Sequence, residues 1–353
     1  MSSTHEYNYN ETFQLESGKQ LPGLKIAYQT FGNLNAKKDN VIWACHALTA
    51  NADVTDWWKG LFGENELFNP DDHFIICANV LGSHYGTTCP LDLDPLTGSP
   101  YYLSFPEFTI RDLVKAHQLL ADELGIERIL VLIGGSLGGQ QAVEWAIAST
   151  IVIENLVLIA TNAFHSPWGI AFNESQRLSI EADGSFYDQR HHDGGAKGLK
   201  AARSVALLSY RTYEAYSTTQ RERSNDKTGN FNASSYQSYQ GEKLCKRFNA
   251  YSYWYLTKAM DSHNVGRGRE SVIAALESIR SNTLVIGIEN DFLFPVSEQG
   301  YLGKHIPGAQ FHSIKSAYGH DGFLIETSLL NGLIGSFLKE HTNRKIVKLH
   351  KTA

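Results

Sequence analysis

A serine framed by two pairs of glycines, Gly134-Gly135-Ser136-Leu137-Gly138-Gly139, constrains this chain more than any other stretch. It follows the apolar run Ile129-Leu130-Val131-Leu132-Ile133 and leads into the helical pattern Gln141-Ala142-Val143-Glu144-Trp145-Ala146. Strand, sharp turn and helix in immediate succession are the setting of a Gly-x-Ser-x-Gly nucleophile elbow. The glycines two residues before and after the serine answer a steric need, because a β-carbon there would crowd the adjoining strand and helix. The turn exposes the hydroxyl and directs the Leu137 amide, at the helix N-terminus, toward any oxyanion formed there.

Short apolar runs recur at 41–45, 74–78, 156–160 and 284–288. Such runs suit parallel strands buried on both faces. Segments 110–124 and 137–148 repeat apolar residues at spacings of three and four, the helical period. This alternation predicts the α/β class, with a mostly parallel, doubly wound sheet. Near the N-terminus, 12–17 and 24–31 alternate apolar and polar residues and predict an antiparallel hairpin at the sheet edge. The strand pattern stops at about 163 and resumes at about 281. The segment between is helical in tendency and rich in aromatic residues, among them Tyr210, Tyr213, Tyr216, Tyr251, Tyr253, Trp254 and Tyr255. Within it, 218–243 is polar and reads as a long exposed loop. The expected organisation is a core of 1–162 and 281–345 and a helical cap at 163–280. The cap would cover the C-terminal strand ends, where open α/β sheets place their active sites. A basic tail at 346–353 is expected to be solvated and frayed.

A serine elbow acts as a nucleophile only if an acid and a base follow. Thr283-Leu284-Val285-Ile286-Gly287-Ile288 reads as a strand with Glu289-Asn290-Asp291 beyond its end. Asp291 is the candidate acid, and Glu289, nearer the strand, is its rival. Phe311-His312-Ser313-Ile314 reads as the last strand, followed by the glycine-flanked His320 and a closing helix from about Phe323. The order Ser136, Asp291, His320 is that of an α/β-hydrolase triad. In this reading His320 takes the serine proton and Asp291 holds the imidazole tautomer.

Composition narrows the partners. The net charge of −6 makes no electrostatic case for nucleic acid or an anionic membrane surface. No run reaches the ~18 apolar residues of a membrane span, and no secretory signal pattern opens the sequence. The scattered Cys45, Cys77, Cys89 and Cys245 form no C-x-x-C pair, which fits reduced thiols in a cytoplasmic protein. His191-His192-Asp193 lacks a third ligand at helical or hairpin spacing and reads as a polar turn, so no metal is expected. No phosphate-binding loop or dinucleotide fingerprint occurs, so no bound cofactor is expected either.

Several separated motifs go further. They are His46-Ala47-Leu48-Thr49, Asn79-Val80-Leu81-Gly82, Tyr85-Gly86-Thr87-Thr88, Asp94-Pro95-Leu96-Thr97-Gly98-Ser99-Pro100-Tyr101, Arg247-Phe248-Asn249-Ala250-Tyr251-Ser252-Tyr253 and Tyr318-Gly319-His320-Asp321-Gly322-Phe323-Leu324. With them the chain resembles the homoserine O-acetyltransferases of the α/β-hydrolase superfamily, from about Thr12 to His341. The resemblance implies acetyl transfer from acetyl-CoA, as co-substrate, to L-homoserine in methionine synthesis, by a ping-pong acyl-serine route. It places the triad on Ser136, Asp291 and His320, a second oxyanion amide near Leu48, and amino-acid binding on Arg203 and Asp321. A guanidinium suits an α-carboxylate and a carboxylate suits an α-ammonium. It also implies a homodimer through the cap helices. Departures are Leu137 in place of the family's usual methionine, His84 in place of cysteine and Cys89 in place of glycine. The acyl donor (acetyl or succinyl) and the acceptor (homoserine or serine) stay open, as does an ester or thioester hydrolase on the same scaffold.

Overall fold

The computed structural model describes the backbone of residues 3–352 and the side chains of residues 4–341. The sheet strands are β1 (Ser3–Tyr9), β2 (Leu24–Phe31), β3 (Val41–Cys45), β4 (Phe74–Ala78), β5 (Arg128–Gly135), β6 (Val152–Ile159), β7 (Asn282–Ile288) and β8 (Gln310–Ile314). They form one 8-stranded sheet in the order β1-β2-β4-β3-β5-β6-β7-β8. β1 and β2, and β2 and β4, pair antiparallel, and all other neighbours are parallel.

β3 shows why the central strands form. All five of its residues are buried, with Val41, Trp43 and Cys45 packed in the cluster on one face and Ile42 and Ala44 in the cluster on the other. Burial on both faces leaves no place for polar alternation. Helices α1 (Ile110–Glu123) and α2 (Leu137–Ala148) cover one face. A reciprocal capping box between Thr109 and Asp112 starts α1.

The chain edges differ from the sequence reading. The long partner of β2 is Ser3–Tyr9, whereas Phe13–Gln14 pairs only with Gln20–Leu21 in a separate two-stranded ribbon. The strand Ser3–Tyr9 reads STHEYNY, a polar sequence that only an edge position tolerates, and its hydrophobic signal is correspondingly weak.

Between β6 and β7 the chain leaves the sheet. Main-chain hydrogen bonds from His165 N to His263 O and from Val265 N to Ala163 O close the neck of this excursion. It contains α3 (Pro167–Glu181), α4 (Ala196–Tyr210), α5 (Asn232–Cys245) and α6 (Ala250–Asp261). The expected loop at 218–243 is therefore shorter, because α5 occupies much of it. That helix is polar, and what holds it is close approach to α4: a β-carbon on Gly241 would lie 2.7 Å from the Lys200 carbonyl oxygen.

After α7 (Val296–His305), the last helix, α8, runs from Thr327 to Thr352. Its backbone is helical through 346–352, part of the range expected as a basic tail, and no proline follows Gly335 to stop the helix. The side chains of Arg344, Lys345, Lys348 and Lys351 lie outside the described residues.

Candidate active site

The strand order places the site. β4 lies on one side of β3 and β5 on the other, so the loops leaving β3 and β5 diverge and open a crevice at their carboxyl ends. The register Cys45↔Gly134 and Gly135↔Ile159 brings the end of β3 beside the elbow and the elbow beside the end of β6.

Ser136 stands at φ 57° and ψ −127°, a backbone conformation costly for a residue with a side chain. It persists because its surroundings leave little freedom. A β-carbon on Gly134 would lie 2.2 Å from the Gly138 carbonyl oxygen, and one on Gly138 would lie 2.0 Å from that of Cys45. The Ser136 amide donates to the Ile159 carbonyl at 3.1 Å.

His320 lies in a single 3-10 turn, Gly319–Asp321, after β8. Its Nε2 is 2.9 Å from Ser136 Oγ and its Nδ1 is 2.6 Å from Asp291 Oδ2. The other Asp291 oxygen accepts the amides of Leu293 at 2.9 Å and Phe294 at 2.8 Å. Phe294 stacks on the imidazole with centroids 5.1 Å apart, and Phe323 and Tyr210 also pack against it. The ring is thus held on its faces and at both nitrogens. Glu289 takes no part, accepting from Ser313 Oγ at 3.1 Å and facing Lys315 at 3.8 Å.

Ser136 and His320 open into a cavity of about 520 Å³, whose lining includes Leu48, Trp57, Tyr85, Arg203, Tyr210, Arg247 and Asp321. Leu48, just beyond β3, lines the same cavity, and Leu137 follows the serine at the first position of α2. The opening amides of a helix have no partner within it, so the Leu137 N–H is free to donate. Arg203 projects from α4 with its guanidinium 5.4 Å from the Tyr210 ring centroid, and no described carboxylate forms a salt bridge with it. Asp321 accepts from Arg211 Nε at 2.9 Å. Its side chain makes no capping hydrogen bond, although it precedes the short helix Gly322–Ile325.

Two arginines escaped the sequence reading. Arg211 follows α4 in an unremarkable context, and nothing local links it to a carboxylate 110 residues away. Arg247 donates to the Thr49 carbonyl and, at 2.7 Å, to Tyr85 Oη, tying the cap to the β3 loop. Its signal was available, since it opens one of the motifs behind the family resemblance. His84 and Cys89 do not line the cavity. His84 meets Asn249 instead, and burial pushes the Cys89 thiol up to about 12, far from a nucleophile. His191 and His192 are exposed, and no cluster of metal-ligating side chains occurs among the described residues. The four cysteines are unpaired, and no described helix is long and apolar enough to cross a membrane.

Residues 40–327 match the α/β hydrolase fold family. The chain is 47% identical over 339 residues to a homoserine O-acetyltransferase of Cyclobacterium marinum, covering 96% of each protein. It is 43% identical over 341 residues to that of Chlorobaculum tepidum, covering 96% of this chain and 95% of the relative. Among solved structures, homoserine O-acetyltransferase from Staphylococcus aureus superposes with a TM-score of 0.80 at 28% identity, covering 96% of this chain and 95% of that one. Esterase E22 superposes with a TM-score of 0.87 at 22% identity, covering 96% and 100%, a likeness of fold alone. By sequence over nearly its whole length, the chain belongs to the homoserine O-acetyltransferase family of the α/β-hydrolase superfamily.

Proposed function

We propose that this protein transfers an acetyl group from acetyl-CoA to the γ-hydroxyl of L-homoserine, giving O-acetyl-L-homoserine and CoA, as a step of methionine biosynthesis. Ser136 Oγ attacks the thioester carbonyl while His320 Nε2 takes its proton, and Asp291 stabilises the imidazolium. The amides of Leu48 and Leu137 receive the oxyanion. The tetrahedral intermediate collapses, CoA leaves with the proton returned from His320, and acetyl-Ser136 remains. Homoserine then enters, its hydroxyl oxygen attacks the acetyl carbonyl as His320 takes the proton, and the intermediate collapses to O-acetylhomoserine while His320 returns that proton to Ser136 Oγ. No cofactor stays bound, and acetyl-CoA is a co-substrate.

One observation carries the choice of an amino-acid acceptor over water. The cavity that exposes Ser136 also holds a cation without a carboxylate partner, Arg203, together with a carboxylate, Asp321. An amino acid offers the complementary pair, with its carboxylate for Arg203 and its ammonium for Asp321. A hydroxyl held at the ester has an effective concentration far above that of an unpositioned nucleophile.

The test is to supply acetyl-CoA with and without homoserine, following CoA release with a thiol reagent and the product by mass spectrometry. Homoserine-dependent release with O-acetylhomoserine formed is expected. CoA release independent of homoserine, with no acetylated amino acid, would establish a thioesterase instead. A panel of serine against homoserine and succinyl-CoA against acetyl-CoA fixes acceptor and donor. The exposed Leu208, Tyr213 and Tyr239 of the cap are our proposed homodimer contact, to be tested by light scattering. A reducing cytoplasm suits four unpaired cysteines.

A further inference from the structure

The peptide unit is planar, so a carbonyl oxygen held on one side fixes the direction of the N–H on the other. The Leu48 N–H shares its peptide with the Ala47 carbonyl, and the Leu137 N–H shares its peptide with the Ser136 carbonyl. Both carbonyls are held from behind. Ala47 O accepts from His46 Nδ1 at 2.8 Å and from the Ala50 amide at 3.0 Å. Ser136 O accepts from Thr161 Oγ1 at 2.9 Å and from the Gln140 amide at 3.1 Å.

The side chains in these contacts have settled roles. His46 Nε2 accepts the Val80 amide at 3.0 Å, so the ring proton sits on Nδ1 and points to Ala47 O. Burial pushes this imidazole down to about 4, which keeps it neutral in that tautomer. Thr161 is fully buried, and the preceding Ala160 is held at φ 46°, an uncommon conformation for alanine that turns the chain out of β6. A third side chain joins the two loops. Gln141 Nε2 donates to the His46 carbonyl at 3.1 Å and to the Leu137 carbonyl at 3.1 Å, and its Oε1 meets His117 Nε2 at 2.9 Å. Two carbonyls facing one amide nitrogen leave a single orientation for it.

We propose that Thr161, His46 and Gln141 are positioning residues that aim the two oxyanion amides: Thr161 and His46 hold the carbonyls of the Ser136–Leu137 and Ala47–Leu48 peptides, and Gln141 sets the spacing between the loops. None of the three lines the cavity, so each acts through backbone alone. The proposal rests on the acyl-serine reading given above. It adds that transition-state stabilisation depends on hydroxyl, imidazole and amide groups behind the site.

The test compares Thr161→Val, Thr161→Ser and Gln141→Met, with p-nitrophenyl acetate and acetyl-CoA as acyl donors. Removing a whole oxyanion donor costs 10²–10³ in rate, so misaiming one is expected to slow acylation on the order of 10-fold in Thr161→Val and in Gln141→Met. Transfer to homoserine should slow by a similar factor, because both half-reactions pass through the same oxyanion, while KM for homoserine stays unchanged. Thr161→Ser keeps the hydroxyl and should restore the rate. The infrared band of the trapped acetyl-enzyme carbonyl should move to higher wavenumber in the two slow variants, reporting weaker polarisation. Equal impairment of Thr161→Ser and Thr161→Val would assign the effect to packing and overturn the proposal, as would an unmoved carbonyl band. If Thr161→Val does not fold, Gln141→Met decides by the same band and rates. Absence of any acetyl-Ser136 adduct in the wild-type protein would instead overturn the acyl-serine reading.

Discussion

Replacing Asp291 by asparagine alters the relay at one atom and keeps the turn around it. One oxygen of Asp291 accepts the amides of Leu293 and Phe294, and the other meets His320 Nδ1. In Asp291→Asn the side-chain oxygen has to stay on the two amides, because flipping it would leave two buried donors unsatisfied at about 1–3 kcal/mol each. The amide nitrogen then faces His320 Nδ1 and donates to it. The imidazole proton moves to Nε2, where it points at Ser136 Oγ 2.9 Å away, and the ring can no longer take the serine proton. A tautomer reversal of this kind costs about 10⁴-fold in serine hydrolases, or about 5 kcal/mol of barrier. The assay is the first-turnover release of CoA from acetyl-CoA, read beside thermal unfolding. Asp291→Asn should keep the wild-type Tm to within a few degrees and lose acylation by that factor. Asp291→Ala removes the acceptor of both amides and should lose stability as well. A folded Asp291→Asn variant that acylates within about 10-fold of wild type would refute the tautomer argument.

The remaining expectations follow from other contacts. Gly138→Ala places a β-carbon 2.0 Å from the Cys45 carbonyl oxygen, so we expect about 3 kcal/mol lost in a urea melt, the upper end of what overpacking costs, and a fully stable variant would contradict the elbow packing. Arg203→Ala should acylate normally yet transfer to homoserine on the order of 10- to 100-fold more slowly, the worth of hydrogen bonds to a charged group. Equal loss in both half-reactions would count against its role. Burial pushes His46, His117 and His165 down to about 4 and His263 to about 3. The unfolded chain, titrating near 6.5, therefore binds more protons than the native state below that value. Stability falls as pH drops from about 6.5 toward 4, each group removing about 2 kcal/mol by pH 5. Urea midpoints at pH 7 and pH 5 check this, and a flat profile would mean that these histidines are not buried neutral.

The buried strands, the helices at 110–124 and 137–148 and the elbow were legible because each rests on local rules: side-chain period, glycine sterics and burial on both faces. Helix α5 was not. Its residues lack an apolar stripe, and it is held by the close approach at Gly241, which no local pattern announces. The edge strand Ser3–Tyr9 was hidden for a related reason, since its pairing with β2 comes from main-chain groups and leaves the side chains polar. Asp291 was the candidate over Glu289, which lies nearer the strand, and Glu289 stayed a rival because both follow β7. Their directions depend on a turn held by the Leu293 and Phe294 amides.

The sequence by itself determined the α/β alternation, the strained serine and the chain order of Ser136, Asp291 and His320 at successive strand ends, since these follow from short-range sterics and side-chain period. Only the tertiary structure decided that Asp291 and not Glu289 meets His320, that Arg211 and not Arg203 pairs with Asp321, and that Thr161 bonds the Ser136 carbonyl. Those outcomes belong to residues far apart in the chain. They are set by sheet register and by the docking of the cap, through hydrogen bonds that form only when distant backbones reach a common geometry.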